Sequence, residues 1–436
     1  MSQASANSPG NRVVRIATAI AIGGLCALWI AACGSSGAAH GPVSIVYYSP
    51  VDSNGTNVKA AATCSKQSGG SYTISITPEA NSSDASRQLA VQRLAAHDSD
   101  YSLLNMDTIW TAEFAAAGWL KPITGAARQE ALQGVLPIAA QSAEYQGTLY
   151  AVPLNTNAQL LWYRKDLLAS IHQPAPTTWA QVIADAQKLP ASDGLIEEQG
   201  QQYEGYTVWF NSVLASAGGE VVDAQDKPVL GKPAVEAATI IHDVATSGRA
   251  DPSLSTDQED QGRLAFEGGK AAFMLNWPYV YAAGRTDAAT SATTKHVWQN
   301  MGWAPYPSVY PGVPGKSSVG GANIGVSAYS KYPKQALAAA ICMTRYYWEN
   351  QEAINEGLPP VTIASYTNPA VVKSYPFAAV LLKQLEHATN RPETPYYSDV
   401  TLAIQQTLHP PAAIKPVSDI NSLRSCLTTL LKGGLC

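Results

Sequence analysis

VSIVYYS at residues 43–49, YTISIT at 72–77 and YSLLNMD at 101–107 are three short apolar runs separated by two longer segments, NVKAAATCSK (57–66) and the stretch from Asp84 to Ala95. The first run is short and rich in β-branched and aromatic residues, and the second alternates apolar with polar side chains, so both read as strands. Asn57–Lys66 reads as a short helix that stops before Gly69-Gly70. Leu89, Val91, Leu94 and Ala95 belong to a second helix that Asp84 is placed to cap. Tyr101–Met106 is a third strand, followed by a helix from about Thr108 to Ala117. This β-α-β-α-β-α order implies an α/β fold with a mostly parallel sheet and helices on its faces. Ligands of such sheets bind beyond the carboxyl ends of the strands. Asp52 follows the first strand and Asp107 ends the third, so both are site candidates, and each has helix capping as an alternative duty.

Moving outward, Gly147–Leu167 contains an extended segment, and a helix near Trp179–Leu189 is led by Thr178. Val208–Ala217 and Ala234–Thr246 read as helices, Gly262–Glu267 ends another, and Ala271–Asn276 reads as a buried strand before Trp277-Pro278. A Pro- and Gly-rich loop, Pro305–Gly321, precedes Ala322–Ala328 and then one long helix around Pro333–Trp348. No repeat and no interdomain linker is visible, which fits two lobes joined by several crossings of the chain.

Composition narrows the function. Of 436 residues, 46% are hydrophobic, enough for a sizeable core, while only 14% are charged and the net charge is −5. Clustered Lys and Arg, which phosphate contacts require, are missing, so nucleic acid is excluded as a partner. Tyr (21) and Trp (10) far outnumber Phe (5), a bias toward rings that carry a polar handle. No H-E-x-x-H or Cys/His cluster points to a metal, and no G-x-S-x-G nucleophile elbow occurs. Gly315-Lys316-Ser317 mimics a P-loop, but Tyr310 occupies the position of the leading glycine. No cofactor is implied. Asp107, Glu113, Glu204, Glu259 and Glu267 could supply a glycosidase acid and base. Nothing in the spacing distinguishes two of them, and no enzyme activity is expected.

The N-terminus carries Arg12 and Arg15 without an acid, then an uncharged apolar run from Ile16 to Ala32. This resembles a secretory signal peptide; a membrane-spanning anchor is the alternative, at the lower limit of the spanning length. Ile30-Ala31-Ala32-Cys33-Gly34 resembles a bacterial lipobox. Residues 1–32 are then a cleaved signal, Cys33 the lipidated first residue, and 33–42 a small, polar tether. The expected location is the outer face of the cell membrane. Cys64, Cys342, Cys426 and Cys436 remain, an even number suited to disulfides in an exported chain, with three connectivities open.

Several phrases in order resemble the extracellular sugar-binding proteins of bacterial ABC importers, the class that includes maltose-binding protein. They are Leu103–Asp107 with Trp110-Thr111-Ala112-Glu113-Phe114, Gly118-Trp119-Leu120-Lys121-Pro122, Leu149–Pro153, Asn155-Thr156-Asn157 and Leu160–Leu167. Tyr203-Glu204-Gly205, Leu264–Ala272, Asn276-Trp277-Pro278 and Gly320–Asn323 follow. Within that class the chain is most similar to actinobacterial trehalose-binding lipoproteins, through Cys64 before Gly69-Gly70, Cys342 and Arg391-Pro392-x-Thr394-Pro395-x-Tyr397.

The resemblance implies a two-lobed clamshell, each lobe a mostly parallel sheet flanked by helices, with lobe 1 at 43–153 plus 323–360 and lobe 2 at 154–322 plus 361–436. On that division Cys64 pairs with Cys342 and Cys426 with Cys436. The implied partners are a neutral disaccharide, trehalose before maltose or a glycosylglycerol, and the permease and ATPase of an importer; a monomer is expected. Carried over by position, the ligand set is Asp107 and Asp52 from lobe 1, Asn157 at the hinge, and Glu204, Glu259, Trp277 and Arg391 from lobe 2. Trp277 serves as the ring platform, Tyr397 lies nearby, and Gly321 lets backbone N–H groups approach. The SPVDSNGT loop (49–56) departs from the relatives' pattern, which puts Asp52 apart from the rest. A lipid-anchored glycoside hydrolase is the rival reading.

Overall fold

A computed structural model describes residues 41–80 and 82–436. The signal segment, Cys33 and all but the last two tether residues lie outside the described residues. Among the described residues no helix is long and apolar enough to cross a membrane.

Nine strands build two sheets: β1 (Val43–Pro50), β2 (Tyr72–Glu79), β3 (Leu103–Asp107), β4 (Ala151–Ala158), β5 (Leu160–Arg164), β6 (Leu195–Glu197), β7 (Ala271–Asn276), β8 (Met301–Ala304) and β9 (Val319–Val326). The first sheet runs β2-β1-β3-β9-β4 and the second β8-β5-β7-β6; a two-stranded hairpin at Glu144–Tyr145 and Thr148–Leu149 stands apart. The α/β class holds, but both sheets are mixed where mostly parallel ones were expected. β1 pairs parallel with β2 and β3, whereas β9 is antiparallel to β3 and β4. In the second sheet only β6 and β7 are parallel. The connections explain this. Helices α1 (Thr56–Gln67) and α2 (Ser83–Ala95) return the chain to the same edge and enforce parallel pairing. β4 runs into β5 across the single residue Gln159, and β9 re-enters the first sheet from the second, so neither has a crossover helix. The expected lobe boundaries, 153/154 and 322/323, fall inside β4 and β9, both strands of the first sheet.

Each sheet has its own apolar core. Tyr47, Leu103, Phe114 and Ile324 are buried around the first, with Cys64 on α1 and Ala339 on a later helix, Pro333–Met343. Trp209, Phe210 and Phe273 gather on one face of the second sheet, with Trp179 from helix α3 (Trp179–Lys188). Trp162, Phe266, Met274 and Phe377 fill a third cluster. The large rings Trp162, Trp179, Trp209, Tyr47 and Tyr101 are therefore scaffold. Thr178 begins α3 with a full capping box to Gln181. Ser82, not Asp84, stands at the N-cap of α2, with Asp84 in the first turn.

Helix α4 (Glu204–Ser216) is buried at all thirteen positions, the signature of an interior helix. Its polar residues grip the segment entering β9. Asn211 Nδ2 and Ser212 Oγ both reach Ser318 Oγ at 3.0 Å, and the Ser318 N–H donates to Ser212 Oγ at 2.8 Å. Helix α5 (Glu259–Glu267) precedes β7. The single helix expected over Pro333–Trp348 is two, α6 (Pro333–Met343) and α7 (Tyr346–Glu356). Thr344 Oγ1 donates back to the Ala340 carbonyl at 3.1 Å and Arg345 is extended, which ends the first helix and starts the second. Helix α8 (Tyr397–Leu408) packs against α4. Cys64 and Cys342 are bonded between α1 and α6, with Cα atoms 5.9 Å apart, and Cys426 and Cys436 are bonded in the C-terminal segment.

Candidate functional site

The carboxyl end of β3 delivers Asp107 to the seam between the sheets. Its carboxylate caps the following 3₁₀ turn through the Ile109 N–H and accepts the Ser83 hydroxyl at 2.9 Å. It also accepts Arg391 Nη2 at 2.9 Å. The same guanidinium donates through Nη1 to Glu204 Oε1 at 2.7 Å and through Nη2 to the Val319 carbonyl at 3.3 Å. Arg391 thus joins a first-sheet carboxylate to the first residue of α4 and to the start of β9. A helix N-terminus favours the Glu204 carboxylate, which also accepts the Tyr397 hydroxyl and the Thr401 hydroxyl, the latter at 2.7 Å.

Burial decides the electrostatics. The Arg391 side chain is 3% exposed and that of Glu204 8%. Burial pushes the Glu204 carboxyl above its ordinary range, while Arg391 and Tyr397 pull against it. For Arg391, burial alone would lower the pKa; Asp107, Tyr397 and Glu204 outweigh it and fix the positive charge. Burial and the Glu204 charge both raise the Tyr397 hydroxyl, keeping it a donor. The Arg391 Nε has no partner among the described residues. Beside it a cavity of about 20 Å³, lined by Thr108, Ser142, Asn390 and Glu393 among others, is the size of a single water.

One residue along β9 from Val319, Gly320 supports Trp277. A Cβ at 320 would come within 2.9 Å of the indole, so glycine lets the ring lie against the strand. Asn276 aims the ring: its Oδ1 accepts the Trp277 N–H at 2.8 Å, and its Nδ2 donates to the Glu259 carbonyl at 2.9 Å. Asn157 pairs with Gly320 across the ladder and is half-buried beside the ring. Gly321 has a different reason. Its φ is +118°, and a Cβ there would stand 2.3 Å from the Asn155 carbonyl oxygen, so glycine is required by the neighbouring strand. Glu259 starts α5 half-buried, and burial raises its pKa.

Asp52 stands apart. Its carboxylate accepts the Asn57 N–H at 2.5 Å, serving the start of α1. It has no hydrogen bond or ion pair with Asp107, Arg391 or Trp277 among the described residues. Its loop is tied to α7 instead, through the Asn54 N–H and Thr56 Oγ1 on Glu356. Glu352 on α7 lies nearby; burial first, then the Asp52 charge, raises its carboxyl to about 8. Four of the five acids that could have served hydrolysis hold internal ion pairs: Asp107 and Glu204 with Arg391, Glu113 with Arg87, whose Nε lies at 2.8 Å, and Glu267 with Arg263 at 2.8 Å.

The loop between β6 and α4 was passed over in the sequence. It buries Glu198 and Gln199 at 2% and 1% exposure. Glu198 Oε1 and both Gln199 amide atoms lack hydrogen-bond partners among the described residues, as do both amide atoms of Gln159 at the β4–β5 crossing, while the Tyr203 hydroxyl faces Glu259. The available signal was a polar run, Glu197-Glu198-Gln199, directly after an apolar strand.

Comparison with known proteins agrees with this architecture. The family model described as bacterial extracellular solute-binding protein matches residues 69–345, more than half of the chain. A probable ABC transporter-binding protein of Deinococcus radiodurans is 29% identical over 350 residues, covering 77% of this chain and 80% of that protein. The mannitol-binding protein of Pseudomonas aeruginosa is 27% identical over 329 residues, 71% of this chain and 73% of its own. Among solved structures, maltose-bound MalE3 of T. maritima superposes with a TM-score of 0.79 at 29% identity, covering 89% of this chain and all of that one.

Proposed function

The chain belongs to the bacterial extracellular solute-binding proteins, and from that premise we propose that it captures a neutral disaccharide, trehalose first, and hands it to the permease and ATPase of an ABC importer. The observation that carries the ligand class is the Asp107–Arg391–Glu204 triad, with Arg391 and Glu204 buried, one residue along β9 from the Gly320–Trp277 contact. Carboxylates and a guanidinium are planar, double-ended groups suited to adjacent hydroxyls, and an indole suits the C–H face of a sugar ring. The names of two relatives add support, since one binds mannitol and the other was solved with maltose, both neutral polyols or sugars.

The proposed mechanism makes and breaks no bond. The lobes follow the sheets, with β1–β4 and β9 in one and β5–β8 in the other, so the crossings at Gln159 and at Ser317-Ser318 act as hinges. Ligand favours closure because only the closed form lets both lobes contact it. In this reading Asp107, Asn157, Glu204, Glu259, Trp277 and Arg391 serve the ligand, Gly321 serves the strand that carries the site, and Asp52 serves the fold of its loop. A micromolar affinity requires about 8 kcal/mol, which several charged hydrogen bonds of about 1.5–3 kcal/mol each and one stacked ring can supply after entropic costs. Anchoring at the outer face of the membrane through lipid on Cys33 completes the proposal.

Calorimetric titration of the full chain with trehalose, maltose, mannitol and a glycosylglycerol tests it. Saturable trehalose binding without glucose release is the expected result. Heat signals absent for all four would overturn the ligand class, and glucose released from trehalose would favour the hydrolase.

A further inference from the structure

Resting on the lipid anchor proposed for Cys33, we infer that the corner where α6 meets α7 is a membrane-facing surface that sits on the headgroup layer of the bilayer holding the lipid. Ten residues, 33–42, separate Cys33 from β1, a length that spans at most ~35 Å. The chain enters the first sheet at Val43, so the surface around Val43 is the part of the protein held nearest the bilayer.

The α6–α7 corner lies at that same end of the sheet. Val43 pairs with Tyr72 at the start of β2. Burial raises the Tyr72 hydroxyl and the Arg345 charge pulls it down, so Arg345 stands close to that pair. α7 runs antiparallel to α1. Asn355 in its last turn donates to Thr56 Oγ1, at the start of α1, at 3.3 Å. Cys342, just before Arg345, is bonded to Cys64 in the last turn of α1. Lys66, the exposed cation of that turn, therefore shares the corner with Arg345, Tyr346 and Tyr347.

The side chains there suit a lipid–water interface. Arg345, Tyr346 and Tyr347 are consecutive and exposed, the tyrosines at 45% and 61%. Trp348 meets Tyr347 edge-on, with ring centroids 4.9 Å apart. No other residue of α7 is exposed, so its aromatic exposure is confined to the end nearest Val43. Tyr and Trp concentrate where their amphipathic rings can sit at headgroup level. Lys66 has no ion pair among the described residues, and Arg345 has an exposed one with Glu130 at 2.8 Å, of a kind that contributes little. Both cations are available to anionic headgroups. A patch this small binds weakly by itself, and the anchor compensates by holding it at high effective concentration. The pose has a consequence for the site. β1 and β3 are parallel, so Val43 and Asp107 lie at opposite ends of the first sheet. Resting on this corner turns Asp107 toward the medium, and handover to the permease requires the corner to lift.

Hydrogen exchange tests this on the lipid-carrying chain in vesicles of phosphatidylethanolamine and phosphatidylglycerol, against the same chain exported without lipid. The first turn of α7 is a sensitive reporter, because its N–H groups lack carbonyl partners within the helix. The Tyr346 and Tyr347 amides should exchange about tenfold more slowly on the vesicles, with residues 105–111 unchanged. Replacing both tyrosines, Tyr346→Ser with Tyr347→Ser, should abolish the difference at unchanged thermal melting. Tyr347→Ser alone leaves the Tyr346 hydroxyl on Asn368; it should retain about threefold slowing and preserves the test if the double variant fails to fold. Equal exchange with and without lipid overturns the inference, as does slowing at 105–111 instead or slowing that survives in the double variant. Slowing that grows with protein density on the vesicle marks a second copy and overturns it too. In each of these cases the sugar-binding reading stands. A chain whose mass shows no lipid on Cys33 removes the proposed anchor, and this inference with it.

Discussion

Replacing Arg391 with methionine keeps most of the side-chain volume and removes the charge that holds Asp107 and Glu204. The Asp107 side chain is 20% exposed and can be solvated, whereas Glu204 at 8% cannot. Glu204 retains the Tyr397 and Thr401 hydroxyls, so its least costly response is to take up a proton. From an ordinary value of 4.5, holding it protonated at pH 7 costs about 3.4 kcal/mol, at about 1.36 kcal/mol per unit, and about 0.7 kcal/mol at pH 5. A carboxyl whose folded pKa lies above its unfolded value binds more protons when folded, so this stability is lost as pH rises past the unfolded value. Because Glu204 already lies above that value in the wild type, Arg391→Met should destabilise by at most about 3 kcal/mol at pH 7 and by under about 1 kcal/mol at pH 5. Guanidinium unfolding at both pH values, followed by tryptophan fluorescence, measures it. Adding Glu204→Gln should recover most of the loss at pH 7. Equal destabilisation at the two pH values, or a double variant no better than the single, would refute the buried-charge argument.

Trp277→Ala should cut trehalose affinity about a hundredfold, the loss of about 3 kcal/mol of ring burial, with little change in melting; calorimetry and circular dichroism read the two sides. The disulfide between Cys64 and Cys342 closes a loop of sequence separation 278, so Cys64→Ser should lower unfolding stability by up to about 5 kcal/mol in a chemical-denaturation series. Gly320 and Gly321 should separate binding from folding. Gly320→Ala meets the Trp277 ring and should weaken sugar binding more than stability, whereas Gly321→Ala meets the Asn155 carbonyl at positive φ and should lower the melting temperature first.

The β-α-β-α-β opening was legible because its periodicity is local: each strand and helix announces itself over fewer than fifteen residues. The pairing directions were not, because β9 finds β3 and β4 only after the chain has built most of another sheet, and no local pattern records that. The break between α6 and α7 escaped notice for a related reason, since it depends on one threonine hydroxyl turning back on its own helix. Asp107, Arg391 and Glu204 were reachable through motif order, yet the contacts of Arg391 with Glu204 and Asp107 span 187 and 284 positions along the chain. Glu198 and Gln199 were passed over because an acidic, amide-rich run reads as solvent-exposed; only burial reveals otherwise. The Tyr and Trp excess, read as a sign of a polar ligand, mostly fills cores, and Trp277 is the ring that retains the binding argument.

Capping, posed beside binding as a duty for the two aspartates, is made by both carboxylates, in different surroundings. Asp52 spends its carboxylate on the Asn57 N–H, within a loop fastened to α7. Asp107 has an Oδ2 fixed by Ser83 and an Oδ1 shared among the Ile109 N–H, Thr108 and Arg391. The local bonds orient the carboxylate within the first sheet, independently of Arg391. On the proposed closure, then, the first-lobe acid needs little reordering to meet a cation from the second. Preorganisation of this kind lowers the entropic cost of association, so one carboxylate can cap its own turn and still meet the Arg391 guanidinium.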